Sequence, residues 1–190
     1  MMRTLVVFTE EPSAQVMLES MLPRLLPRTA CSFKCVPFEG KQDLEKQLPI
    51  KLKAWRTPNT HFIVLRDQDS GDCKTIKRKL KDICVKARKP GVLVRIACRE
   101  LESWYFGDLP AVETALEIGG LSELMAKKKY RNPDGIHHPS EELKRVTKNR
   151  YQKVGGSRLI GEYLRLDNSR STSFQHFIGG VRRIMALNVI

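Results

Sequence analysis

Three pairs of carboxylates stand where three apolar runs of this chain give out. Glu10 and Glu11 follow the run at 4–8, Asp67 and Asp69 follow the run at 62–65, and Glu100 and Glu102 follow the run at 92–97. In an extended chain, residues two apart project to the same side, about 6.6 Å from one another. Asp67-x-Asp69 can therefore present two carboxylates to one hard cation, and Glu100-x-Glu102 repeats the spacing. Mg²⁺ and Mn²⁺ favour oxygen ligands of this kind. In open α/β sheets, ligands bind beyond the carboxyl ends of the strands, where all three pairs are expected to lie. The residue types thus point to a Mg²⁺ or Mn²⁺ site made by Glu10, Asp67 and Asp69, with Glu100 or Glu102 completing a second position. The chemistry such a site performs is phosphodiester hydrolysis, in which two ions activate water and stabilise the leaving oxygen. Ordinary roles compete. Acidic residues near a helix N-terminus complement its dipole, and Asp72 reads as the N-cap of the helix that follows. Asp67 fits that role less well, because a carboxylate abutting a buried strand is costly without compensation.

The elements that must position these groups alternate over the first hundred residues. Strands are expected at 4–9, 32–38, 61–66 and 91–97, and helices at 13–26, 43–55 and 72–89. Pro23 predicts a kink or a break in the first helix. The third is the cleanest, with Ile76, Leu80, Ile83, Cys84 and Ala87 on one stripe and Pro90-Gly91 beyond its end. This alternation implies a mostly parallel sheet flanked by helices. Beyond residue 100 only helical signals remain, at 101–106, 109–116, 121–127, 141–148, 157–164 and 174–187. The expected organisation is a catalytic core at 1–108, with a helical extension at 109–190 packed on it as a single unit.

The charge balance names a partner class. Thirty-four Lys and Arg against 21 Asp and Glu leave a net charge of +13, a field that concentrates polyanions such as DNA or RNA. The densest basic run is Lys127, Lys128, Lys129 and Arg131 around Tyr130, with a second patch at Lys148, Arg150 and Lys153. Other chemistries find little support. The five cysteines include no Cys-x-x-Cys pair, which argues against a zinc ribbon or a disulfide framework. Gly40-Lys41 lacks the rest of a phosphate-binding loop, so ATP binding by this chain is not expected. His137-His138 reads as a surface loop, and no Gly-x-Ser-x-Gly elbow is present. No apolar stretch approaches the roughly 18 residues of a membrane span, and residues 1–8 are too short for a secretory signal. A cytoplasmic location is expected.

Glu10 and Asp67-x-Asp69 match the signature of Toprim-type catalytic domains, in which a Glu follows the first strand and an Asp-x-Asp a later one. The first hundred residues resemble that fold, shared by topoisomerases, DnaG-type primases and OLD (overcoming lysogenization defect) nucleases. Many Toprim proteins have Gly after the first-strand Glu, where Glu11 stands here. Longer strings resemble an uncharacterised prokaryotic family related to Toprim domains, domain of unknown function 4276. They are Glu10-Glu11-Pro12-Ser13, Phe38-x-Gly40-Lys41-Gln42-Asp43-Leu44, Arg66-Asp67-Gln68-Asp69-x-x-Asp72-Cys73 and Glu100-Leu101-Glu102-Ser103-Trp104-Tyr105-x-Gly107-Asp108. Tyr151-Gln152-Lys153 and Ser169-x-Ser171-x-Ser173-Phe174 extend the likeness over nearly the whole chain. The resemblance implies a Toprim-like α/β fold, a metal-dependent nuclease site and an ATPase partner. Within it, Lys153 is the candidate cation that stabilises charge developing on the phosphate. Hydrolysis is favoured over strand transfer because no separate tyrosine-bearing domain is visible. The competing expectation is a non-catalytic, Toprim-like binding or regulatory subunit acting with an ATPase.

Overall fold

A computed structural model describes residues 2–27, 29–167 and 170–186. Four strands, β1 (Arg3–Thr9), β2 (Cys31–Pro37), β3 (Thr60–Asp67) and β4 (Leu93–Ala97), form an all-parallel sheet in the order β2-β1-β3-β4. Helices α1 (Pro12–Leu25), α2 (Lys41–Ala54) and α3 (Cys73–Lys86) make the crossovers. The expected α/β class is therefore the observed one. The central strands read as unbroken apolar runs because both faces are buried. Leu5, Val7, Ile63 and Leu65 pack on one face with α1, while Val6, Phe8, Phe62 and Val64 pack on the other with α2 and α3.

The first crossover steps from β1 to β2, and the second returns past β1 to β3. Helices α1 and α3 consequently leave the ends of neighbouring strands on opposite faces. The carboxyl ends of β1 and β3 are thus the point where the strand order reverses, which is where open α/β sheets hold ligands.

After β4 the chain is helical. It runs through α4 (Glu102–Phe106), α5 (Leu109–Leu116), three short 3₁₀ turns (Ser122–Ala126, Lys128–Tyr130, Pro133–Gly135), α6 (Pro139–Val146), α7 (Lys153–Tyr163) and α8 (Thr172–Ile184). These elements share the α1-side core, to which they bring Trp104, Phe106, Ile160, Phe174 and Phe177. Helix α7 lies against α1 through Gly161, where an added Cβ would meet the Met17 carbonyl oxygen at 2.5 Å.

Three expectations change. Pro23 does not divide α1, which runs unbroken from Pro12 to Leu25; it stands in the last turn, where its missing N–H costs a single hydrogen bond. The segment at 121–127 is 3₁₀ rather than α. Helix α7 begins at Lys153, ahead of the expected 157, and runs through Gly155-Gly156 because Gly156 sits against the Tyr151 ring. Ser169 and Leu187, parts of the expected motif and helix, lie outside the described residues.

Candidate functional site

Register sets the first contact of the site. Thr9 of β1 pairs with Leu65 of β3, and the Glu10 amide extends that ladder to the Leu65 carbonyl at 3.2 Å. Glu10 is therefore carried to the end of β3, where its Oε2 accepts the Asp67 amide at 3.2 Å. Beyond Asp67 the loop stays tied to β4. The Gln68 amide donates to Ala97 at 2.9 Å and the Asp69 amide to Arg99 at 2.7 Å. Asp69 takes a left-handed backbone (φ 54°), a conformation Asp tolerates better than most residues. Glu102, opening α4 past β4, is fully buried. Its Oε1 accepts the Tyr151 hydroxyl at 2.8 Å, while its Oε2 has no hydrogen-bond partner.

These carboxyls disfavour one another's charge. Burial raises the Glu10 pKa first, followed by the charge of Asp69. The Asp67 pKa stands well above the usual carboxylate range, from burial and then from Glu102, Glu10 and Glu11. Burial likewise raises Glu102, although the Tyr151 hydrogen bond and the Lys153 charge oppose it. The protein's own cations occupy the margins of this cluster. Arg66 Nε lies 3.6 Å from Glu10, Lys41 Nζ 3.2 Å from Asp69 and Lys153 Nζ 2.5 Å from Glu11. Burial works against the Lys153 ammonium, yet Glu11, Glu102 and Asp67 together raise its pKa.

The donor set has the hard oxygens and the unbalanced negative charge that suit a divalent ion. The unpartnered oxygen of Glu102 is the firmest sign of fit, because a buried carboxylate oxygen without a donor is costly. Among the described residues, however, no three His, Cys, Asp or Glu side chains are gathered at ligating positions. Lysine and arginine hold three of the carboxylates instead.

Glu100 lies to one side. Its carboxylate accepts the Ser140 amide at 2.7 Å and so caps α6, a helix far along the chain, rather than the helix that follows β4. It still shares a recess of about 300 Å³ with Asp69, Arg99, His137 and His138. Both histidines thus wall this recess, in addition to being exposed loop residues. Asp72 caps α3 through the Thr75 amide at 2.7 Å.

The basic run divides in two. Lys127, Lys128 and Arg131 are exposed. Lys129, also exposed, is paired with Glu142 at 2.7 Å, alongside Arg145 and the Tyr130 hydroxyl. Tyr130 is buried and stacks on Phe106, with ring centroids 5.5 Å apart, so it offers no platform to a base. Lys153 leaves the expected second basic patch and joins the acidic cluster.

Two contributors were not singled out from the sequence. Arg66 is buried and bridges Glu10 to Glu45, donating to the latter at 2.7 Å; a charge ending an apolar strand was its signal. Tyr151 fixes Glu102 and touches Ser157 at 3.0 Å. Its position two residues before Lys153 was legible, but its target was not.

The fold has counterparts among solved structures. The C-terminal region of the Burkholderia pseudomallei OLD protein superposes with a TM-score of 0.51 and 15% identity, over 95% of this chain and 98% of that one. The C-terminal region of the Xanthomonas campestris pv. campestris OLD protein gives 0.46 and 14%, over 96% of each. At such identities the former likeness is one of fold. No curated protein matches the sequence. The family model described as "Domain of unknown function (DUF4276)" matches residues 9–182, nearly the whole length, and the chain belongs to that family.

Proposed function

We propose that this protein hydrolyses phosphodiester bonds in nucleic acid with the help of Mg²⁺ or Mn²⁺. The observation that carries the reading is the contact of Glu10 with the Asp67 amide beyond the carboxyl ends of β1 and β3, where Asp69 and Glu102 stand near enough to oppose the charge of these two carboxyls. Glu10, Asp67 and Asp69 would hold the ion, with Glu102 or Glu100 at a second position. Bound there, it would lower the pKa of water and stabilise the leaving oxygen. Lys153 stands at the rim, where an ammonium released from Glu11 can neutralise charge developing on phosphate. Arg66 keeps Glu10 directed at β3, and Tyr151 keeps Glu102 in place. The basic surface at Lys127, Lys128 and Arg131 is suited to the phosphate backbone. The OLD neighbour is the C-terminal region of its protein, which supports action beside a further domain or partner, and an ATPase is the partner we propose. No helix among the described residues is long and apolar enough to cross a membrane.

One observation favours a second reading. With Arg66, Lys41 and Lys153 already paired to the carboxylates, the cluster is also suited to a regulatory subunit without turnover. Incubation of the purified protein with single- and double-stranded DNA and RNA in Mn²⁺ separates the two. Cleavage that is lost in Asp67→Asn supports the nuclease, and absence of cation-dependent cleavage on all four substrates supports the subunit.

A further inference from the structure

A cavity of about 480 Å³ opens at the β2 edge of the sheet, on the side that carries α2. Its wall is aromatic. Phe8 and Trp55 meet edge to face with centroids 6.5 Å apart, and the partly exposed indole is the accessible member. The rim is basic, formed by the exposed side chains of Lys34, Lys51 and Arg56. No acidic residue lines the cavity, and among the described residues none of these three cations has a carboxylate partner. Lys34 Nζ stands 5.8 Å from the Trp55 ring centroid. The indole nitrogen of Trp55 is buried and has no hydrogen-bond partner.

Wall and rim ask for the same ligand chemistry. Three cations that share a rim without a carboxylate among them attract an anion. A flat aromatic group stacks on indole, and Trp faces attract bases of any identity. A single nucleotide unit supplies both: a ring to stack, and phosphates on either side of it. The volume falls within the roughly 300–1,000 Å³ of ordinary small-ligand sites. A base still stacked within a duplex cannot enter such a recess, so the strand must be single.

We propose that the Trp55 cavity is a binding site for an unpaired nucleotide of a single-stranded nucleic acid. It shares no residue with the acidic cluster and requires no metal, so it stands apart from the hydrolytic reading. It would hold a strand on the sheet while another part of that strand is engaged elsewhere.

The test uses the protein's own fluorescence. The chain has two tryptophans, and Trp104 is fully buried with its indole N–H on Ser173, so quenching by a ligand reports Trp55. Titration with a short oligothymidylate in EDTA should quench the emission saturably. Lys34→Glu combined with Lys51→Glu, both at exposed positions, should weaken binding by about tenfold or more and leave the melting temperature nearly unchanged. Polyglutamate of equal length should not quench. The proposal is overturned if a labelled oligonucleotide binds by anisotropy while tryptophan emission stays constant, if the double variant binds as the wild type does, or if polyglutamate quenches equally. Quenching without any Mn²⁺-dependent cleavage would sink the nuclease reading and leave this site standing.

Discussion

Asp67 carries a carboxylate into surroundings that oppose its charge, first by burial and then through Glu102, Glu10 and Glu11. An amide of the same shape removes that conflict. In EDTA, Asp67→Asn should therefore be at least as stable as the wild type in a thermal melt. With Mn²⁺ the order should reverse: the wild type gains stability by mass action, and the variant gains little. Its cleavage rate should fall about 100-fold or more, the usual scale for losing one group that stabilises developing charge. A variant that melts lower in EDTA and keeps its response to Mn²⁺ would show that Asp67 is structural. The same shifts set a pH dependence. Glu10, Asp67 and Glu102 have folded-state pKa values above their unfolded ones. The stability they contribute is full below the unfolded range, about pH 4, and is lost as pH rises through the raised values. Glu142 acts with the opposite sign. The Arg145 hydrogen bond, with Lys129 and Tyr130, holds it at about 2, so its contribution is present above the unfolded range and lost as pH falls towards 2. Metal-free melts from pH 5 to 8 should thus decline with pH, and added Mn²⁺ should restore more at pH 8 than at pH 5. A flat metal-free profile would count against the crowding of these carboxyls.

At the scale of elements, two helices determine where the site's side chains stand. Helix α7 brings Lys153 to Glu11, and it can do so only because Gly161 lets it approach the α1 backbone at Met17. Gly161→Ala would force a methyl against a carbonyl oxygen, and the helices must separate. The expected cost is about 1–3 kcal/mol in urea unfolding, with a fall in any cleavage activity larger than the stability loss explains. Tyr151, just before α7, donates to Glu102 of α4. Tyr151→Phe would leave both oxygens of a buried carboxyl without a side-chain donor, since Oε2 already lacks one. A loss of about 1–3 kcal/mol is expected. A variant that unfolds at the wild-type denaturant midpoint would show that its own contact, α1 on α7 for Gly161 or the Tyr151–Glu102 bond for Tyr151, does not hold the site.

For the molecule as a whole, the net charge of +13 sets the strength of its field, while the fold decides which cations are free to meet a polyanion. Lys129 is occupied by Glu142, whereas Lys127, Lys128 and Arg131 are exposed. Reversing these last three to Glu should weaken nucleic-acid binding for all sequences alike. It should also lower the salt slope, by up to about 0.9 for each DNA phosphate that is no longer neutralised. Binding measured at two salt concentrations checks this, and the Mn²⁺-induced melting shift should be unchanged. An unaltered slope would place the nucleic-acid surface elsewhere.

Strand–helix alternation and the position of each acidic pair were legible because they are local. Both-face burial writes continuous apolar runs into β1 and β3, and a polar break then marks each strand end. The stripe of α3 and its Asp72 cap could be read for the same reason. Partnership was not legible, because it depends on residues far apart in the chain. Only the order β2-β1-β3-β4 sets the ends of β1 and β3 side by side. Only the packing of α7 on α1 takes Lys153 from a basic stretch into an acidic cluster. Glu100 and Glu102 have the same spacing as Asp67 and Asp69, yet one caps α6 and the other is buried against Tyr151. The two carboxylates diverge because a helix begins at Glu102, and the same-side projection of an extended chain ends there.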